Sequence, residues 1–138
     1  MTDSDSRAKG REILQRLGAR KKPDAANEPS GDMFFDLAEN RRDFPDFWKM
    51  TQEHIFGEVW SRPGLALRDR SMITMVALTV LGKPEELKGH MGYALNIGIT
   101  KEEILEMIMH VAHYAGWPTG VNALRVAKEV FREEGVGQ

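Results

Sequence analysis

Four histidines and a set of carboxylates are the residues able to move protons near neutral pH. His90 stands four residues after Glu86, while His110 and His113 are three apart with Glu106 one turn before them. Residues three or four apart share a helix face, so each set forms a polar cluster wherever the chain is helical. One reading is an acid–base site where two helices meet. The other is solvated histidine on exposed faces, which is how His54 reads. Glu58, within Phe56-Gly57-Glu58-Val59-Trp60, faces solvent or is a candidate acid or base, because burial raises a carboxyl pKa. Trp48, Trp60 and Trp117 suit either a pocket or the core. A metal reading is the weakest. Helical carboxylate sites use Glu-x-x-His, and the Glu–His spacing here is four, not three.

Absences narrow the chemistry. The chain has no cysteine, which excludes disulfides, thiolate metal sites and every thiol nucleophile. It has no glycine-rich phosphate loop, Gly-x-Ser-x-Gly elbow or dinucleotide fingerprint. Lys and Arg number 19 against 21 Asp and Glu, so no net positive field favours nucleic acid. The longest apolar run, residues 72–81, is too short to cross a bilayer, and the N-terminus lacks the pattern of a signal peptide. The expectation is a cytoplasmic protein with neither a nucleic-acid nor a membrane partner.

The elements that must position these groups all read as helices. The 138 residues suffice for one domain with its own core. No apolar/polar alternation and no Asn-Gly or Asp-Gly turn suggests a strand, so the fold class is all-α, with about six to seven helices. Residues 1–31 are expected to form an N-terminal helix over 7–17 and a polar linker carrying Arg20-Lys21-Lys22. Residues 32–138 are expected to form the main helical domain, opening with a short helix over 33–39. A helix runs from Pro45 to about Trp60, broken by Arg62-Pro63-Gly64. The next, 67–81, is apolar around almost its whole circumference, which predicts burial by several neighbours or by another subunit. Pro84 starts a helix that ends before Gly98, the expected C′ glycine. Thr100 to Glu103 reads as a capping box, and Pro118 opens the last helix, to 133. Gly57, Gly89 and Gly92 fall inside helices, where close packing is one reason for a glycine.

Several segments together resemble the carboxymuconolactone decarboxylase family. They are Phe56-Gly57-Glu58-Val59-Trp60 leading to Arg62-Pro63-Gly64, and Leu67-Arg68-Asp69-Arg70-Ser71 before the apolar helix. Gly82-Lys83-Pro84 follows, with His90 and Ala94-Leu95-Asn96, then Gly98-Ile99-Thr100, and His110-Val111-Ala112-His113-Tyr114 with Gly116-Trp117-Pro118. The resemblance covers about residues 44–132 and implies the all-α alkyl-hydroperoxidase D-like fold. It sets Lys83 and Glu86 at the redox Cys positions of the peroxidases and Ser71 at their relay glutamate, which excludes thiol peroxidase activity. Only His90 matches.

The resemblance further implies a small unsaturated lactone carboxylic acid as substrate and a decarboxylation needing no metal or organic cofactor. The electrons left by carbon dioxide delocalise into the lactone carbonyl, so the substrate is its own electron sink. The protein must then hold anionic groups, stabilise an enolate and deliver one proton. In this reading His90 delivers the proton, and Glu58 orients it or acts as a second acid or base. Arg62 or Arg68 anchors a carboxylate, and His110, His113, Tyr114 and Trp117 shape the pocket. A homo-oligomer, trimer or hexamer, is implied as well. The alternatives are a non-catalytic oligomeric protein that binds small molecules in the same fold and, less favoured, a metal-dependent helical enzyme.

Overall fold

The computed structural model describes residues 2–18 and 42–136. These are helical as expected, with no strand among the described residues. The expected domain division at 31/32, the short helix at 33–39, the basic triplet and all of the linker beyond Gly18 lie outside them. The chain forms two compact units, residues 1–67 and 68–138.

The first unit contains α1 (Asp3–Leu17), α2 (Pro45–Met50) and a π-helical segment, π1 (Thr51–Val59). α1 begins earlier than its apolar pattern suggests. Thr2 caps it by accepting from the Asp5 N–H, and Asp3 and Asp5 complement the positive helix end. α1 packs along π1, and glycines permit the approach. A methyl group on Gly10 would overlap the Gln52 carbonyl, and one on Gly57 would overlap the Ser6 carbonyl. Close packing is therefore the reason for Gly57, whereas a methyl on Gly92 would meet only the Glu134 carboxylate, at 3.7 Å. Pro45 opens α2 as expected, but the single helix expected to Trp60 changes register. Beyond Met50 it widens to a π-helix, and the Trp60 N–H donates to the Ile55 carbonyl five residues back, at 2.8 Å.

The second unit contains α3 (Leu67–Leu81), α4 (Pro84–Asn96), α5 (Lys101–Ala115) and α6 (Trp117–Glu133). Met75, Leu87, Met91, Leu95, Ile104, Ile108 and Val130 lie in one buried apolar cluster. α5 and α6 meet closely, since a methyl on Gly120 would sit 2.7 Å from Ala112 Cβ. The capping box is formed: the Thr100 hydroxyl accepts from the Glu103 N–H and the Glu103 carboxylate accepts from the Thr100 N–H. Gly98 has φ +95°, the left-handed conformation that suits a glycine ending α4.

α3 departs from its apolar pattern. Only Ser71, Met75 and Thr79 are buried, a single stripe at four-residue spacing. Ile73, Val80 and Leu81 are exposed, Leu81 by 67%. The described residues do not cover this helix all round.

Candidate functional site

His90 lies on the inner face of α4 with Leu87, Met91 and Ala94. It is 4% exposed. Its ring meets that of Tyr93 edge-on, with centroids 6.0 Å apart. Burial pushes the imidazole pKa down from 6.5 to about 4, because the charged form loses its hydration. The ring is therefore neutral at pH 7. Ser71, on the buried stripe of α3, is fully enclosed, and its hydroxyl has no hydrogen-bond partner among the described residues. A buried polar atom left without a partner costs stability and calls for a functional or structural reason.

Glu58 stands at the solvent-facing side of π1, with 44% of its side chain exposed. His54 Nδ1 lies 2.9 Å from one carboxylate oxygen and the Ser6 hydroxyl donates to the other at 3.2 Å. These two hydrogen bonds hold its pKa below the ordinary carboxylate value, His54 contributing most. Glu58 is ionised at neutral pH and suits acceptance of a hydrogen bond rather than donation of a proton. It belongs to the first unit and His90 to the second.

Arg62 is exposed in the turn after π1. Arg68 is exposed at the start of α3 and forms an ion pair with Glu103, the capping carboxylate of α5. The hydrogen bond from the Thr100 N–H, followed by this pair, holds the Glu103 pKa down. Arg68 thus already has a carboxylate partner.

His110, His113, Tyr114 and Trp117 are all exposed, Tyr114 by 82%. His110 packs on Tyr114 with centroids 5.1 Å apart, and His113 meets Trp117 edge-on at 6.0 Å. His113 Nδ1 lies 2.8 Å from the Met109 carbonyl oxygen. With the N–H on Nδ1, this bond leaves Nε2 as the basic nitrogen. The four residues the sequence grouped are therefore together, as an aromatic and imidazole stripe rather than an enclosed pocket.

Sequence reasoning missed two polar clusters of the first unit. His54 is exposed, as the sequence reading expects, and is also the partner of Glu58, for which their four-residue spacing is the available signal. Glu53, largely buried, receives Arg7 Nε at 2.9 Å and has Lys49 Nζ at 4.0 Å. No local signal links Arg7 with Glu53, because their pairing depends on α1 packing against π1. A cavity in the second unit, between α3, α4 and α6, was not foreseen either. No group of three or more His, Cys, Asp or Glu residues suited to a metal ion occurs among the described residues. No described helix is long and apolar enough to cross a membrane.

The profile of the carboxymuconolactone decarboxylase family matches residues 45–129. The chain is 42% identical over 99 residues to a 4-carboxymuconolactone decarboxylase of Acinetobacter baylyi, covering 71% of this chain and 74% of that protein. It is 33% identical over 85 residues to a nitrosuccinic acid decarboxylase of Metarhizium robertsii, covering 62% and 59% of the two chains. An uncharacterized 15.0 kDa protein of Paracoccus denitrificans is 37% identical over 81 residues, with 57% and 60% covered.

Proposed function

Because this chain belongs to the carboxymuconolactone decarboxylase family, we propose that it releases carbon dioxide from a small unsaturated lactone carboxylic acid without a cofactor, using His90 as the proton carrier. Carboxy-lyase is the enzyme class that the two relatives named decarboxylases support. A compound like 4-carboxymuconolactone is the substrate of this reading.

The observation that carries it is the burial of His90. An imidazole withdrawn from water is neutral at rest, with a pKa of about 4. Negative charge brought beside it raises that pKa, so an anionic substrate loads the ring with a proton. Cleavage of the carbon–carboxylate bond leaves its electron pair in the lactone π-system as an enolate. The imidazolium transfers its proton to the enolate carbon and returns to the neutral form, and solvent supplies the next proton. Overall, the lactone acid anion and one proton become carbon dioxide and the decarboxylated lactone. The substrate's own carbonyl takes the electrons, so no metal or organic cofactor is needed. Glu58, ionised at rest, is not the acid of this reading.

The same reading makes the protein a cytoplasmic homo-oligomer, a trimer or hexamer. Its support is the apolar surface of α3 at Ile73, Val80 and Leu81 and the exposed stripe from His110 to Trp117, which a second copy can cover. Light scattering should give a multiple of the 15.6 kDa chain mass; a monomer at micromolar concentration contradicts the assembly. An ultraviolet assay on 4-carboxymuconolactone tests the reaction. Loss of lactone absorbance with release of carbon dioxide supports it, and an unchanged substrate favours a binding protein without catalysis.

A further inference from the structure

The second unit holds a cavity of about 400 Å³ whose chemistry the proposed reaction has not used. That size falls in the range of small-molecule sites. Its walls come from the C-terminal end of α3, the turn into α4 with the first turn of that helix, and the N-terminal half of α6. Leu78, Leu87 and Val126 supply apolar surface, and Lys83, Asn122 and Arg125 supply polar groups. None of the bordering residues is acidic.

The two cations are uncommitted. Arg125 donates from Nη1 to the Asn122 side-chain oxygen at 3.1 Å, a bond that steadies the guanidinium without neutralising it. Neither Arg125 nor Lys83 has an ion-pair partner among the described residues, whereas Arg68 is paired with Glu103 and Lys88 with Glu129 and Glu133. The bordering hydroxyls of Thr79 and Thr119 already donate to the carbonyls of Met75 and Ala115. Lys83 is also the N-cap of α4, with no side-chain capping bond, so the positive end of a 13-residue helix lies at the same wall. Two unmatched cations from separate elements, over an apolar floor, suit a ligand with negative charge at its ends and carbon between them. An inorganic anion would leave the apolar wall against water, and a neutral apolar molecule would leave both charges unmatched.

We propose that this cavity binds a small organic dicarboxylate, with Arg125 and Lys83 holding its carboxylates. Given the decarboxylase reading, on which the identity of the ligand rests, the dicarboxylate is the substrate. Leu87 lines the cavity and His90 follows it by one turn on the inner face of α4. Arg125 and Lys83 then take the anchoring part that the sequence offered to Arg62 or Arg68.

Calorimetry with cis,cis-muconate, an unreactive unsaturated dicarboxylate, separates binding from turnover. The full chain should bind muconate but not its uncharged dimethyl ester, and inorganic phosphate should compete poorly. Arg125→Gln should weaken muconate binding by about tenfold or more and Lys83→Gln by a similar factor. Lys128→Gln, an equal charge change on exposed α6 surface away from the cavity lining, should leave it unchanged. In turnover, Arg125→Gln should raise KM for the lactone acid more than it lowers kcat. If muconate does not bind, or if Arg125→Gln and Lys83→Gln bind it as the parent does, the site is refuted, even where the parent decarboxylates the lactone. If muconate binds through Arg125 but the parent leaves the lactone intact, the cavity proposal stands and the decarboxylase reading fails.

Discussion

Glu58 in the first unit and His90 in the second both titrate below their ordinary values, yet one shift favours charge and the other removes it. Glu58 is lowered by hydrogen bonds from His54 and Ser6, which stabilise its ionised form. His90 is lowered by burial, which penalises its ionised form. Other polar groups in each unit show the same difference. The polar groups at the α1–π1 contact are matched, Ser6 to Glu58 and Arg7 to Glu53. The second unit contains a neutral buried imidazole and, with respect to the described residues, an unsatisfied buried hydroxyl on Ser71 and a cavity with cations lacking acidic partners. Matched polar groups leave little for a ligand to gain. A region that leaves polar groups wanting partners is the one a substrate can complete.

The largest expected effect tests which of the two residues moves the proton. His90→Gln keeps hydrogen-bonding capacity but cannot titrate near neutrality, and should lower kcat by about 10²–10⁴-fold. Glu58→Gln should lower it less, because that carboxylate is exposed and already ionised. Steady-state kinetics on an authentic substrate checks the ranking. Full activity in His90→Gln breaks the contrast and makes Glu58 the better candidate.

The next effect is on stability against pH. Between its unfolded pKa of 6.5 and its folded value of about 4, His90 binds more protons in the unfolded state. Stability therefore rises with pH across that window and is lost as the pH falls from 6.5 toward 4, by up to about 3 kcal/mol. Glu58 and Glu103, whose pKa values are lowered, also lose stabilisation on acidification, but only at and below the ordinary carboxylate range. Denaturant titrations from pH 7 to 5 should show a slope in the parent that is absent in His90→Gln. Equal slopes would mean that the imidazole is not desolvated.

The smallest effect sharpens the contrast in packing. Gly57→Ala should cost about 2–3 kcal/mol, because the new methyl overlaps the Ser6 backbone where α1 crosses π1. Gly92→Ala, facing only a glutamate side chain, should be neutral or mildly stabilising, since alanine favours the helix. Chemical denaturation of the two variants measures both; a benign Gly57→Ala would show that the α1–π1 contact yields easily.

The sequence by itself determined the features that depend on neighbours along the chain. The Thr100–Glu103 capping box, the Pro84 start of α4, the glycine turn at Gly98 and the limits of α3 are all readable. Each is decided by groups within about one helical turn. The grouping of His110, His113 and Tyr114 on one face of α5 is legible for the same reason, whereas Trp117 opens α6 beyond the break at Gly116. Tertiary structure decided what depends on a second element. The widening of residues 51–59 to a π-helix leaves the apolar spacing almost unchanged, so periodicity does not report it. The approach of Gly10 and Gly57, the Arg7–Glu53 pair and the cavity bordered by Lys83 and Arg125 join residues far apart in sequence. The burial of His90 is of the same kind. A histidine four residues from a glutamate looks alike on a wet face and a dry one, and only packing decides which face is turned inward, and with it whether the ring rests charged or neutral.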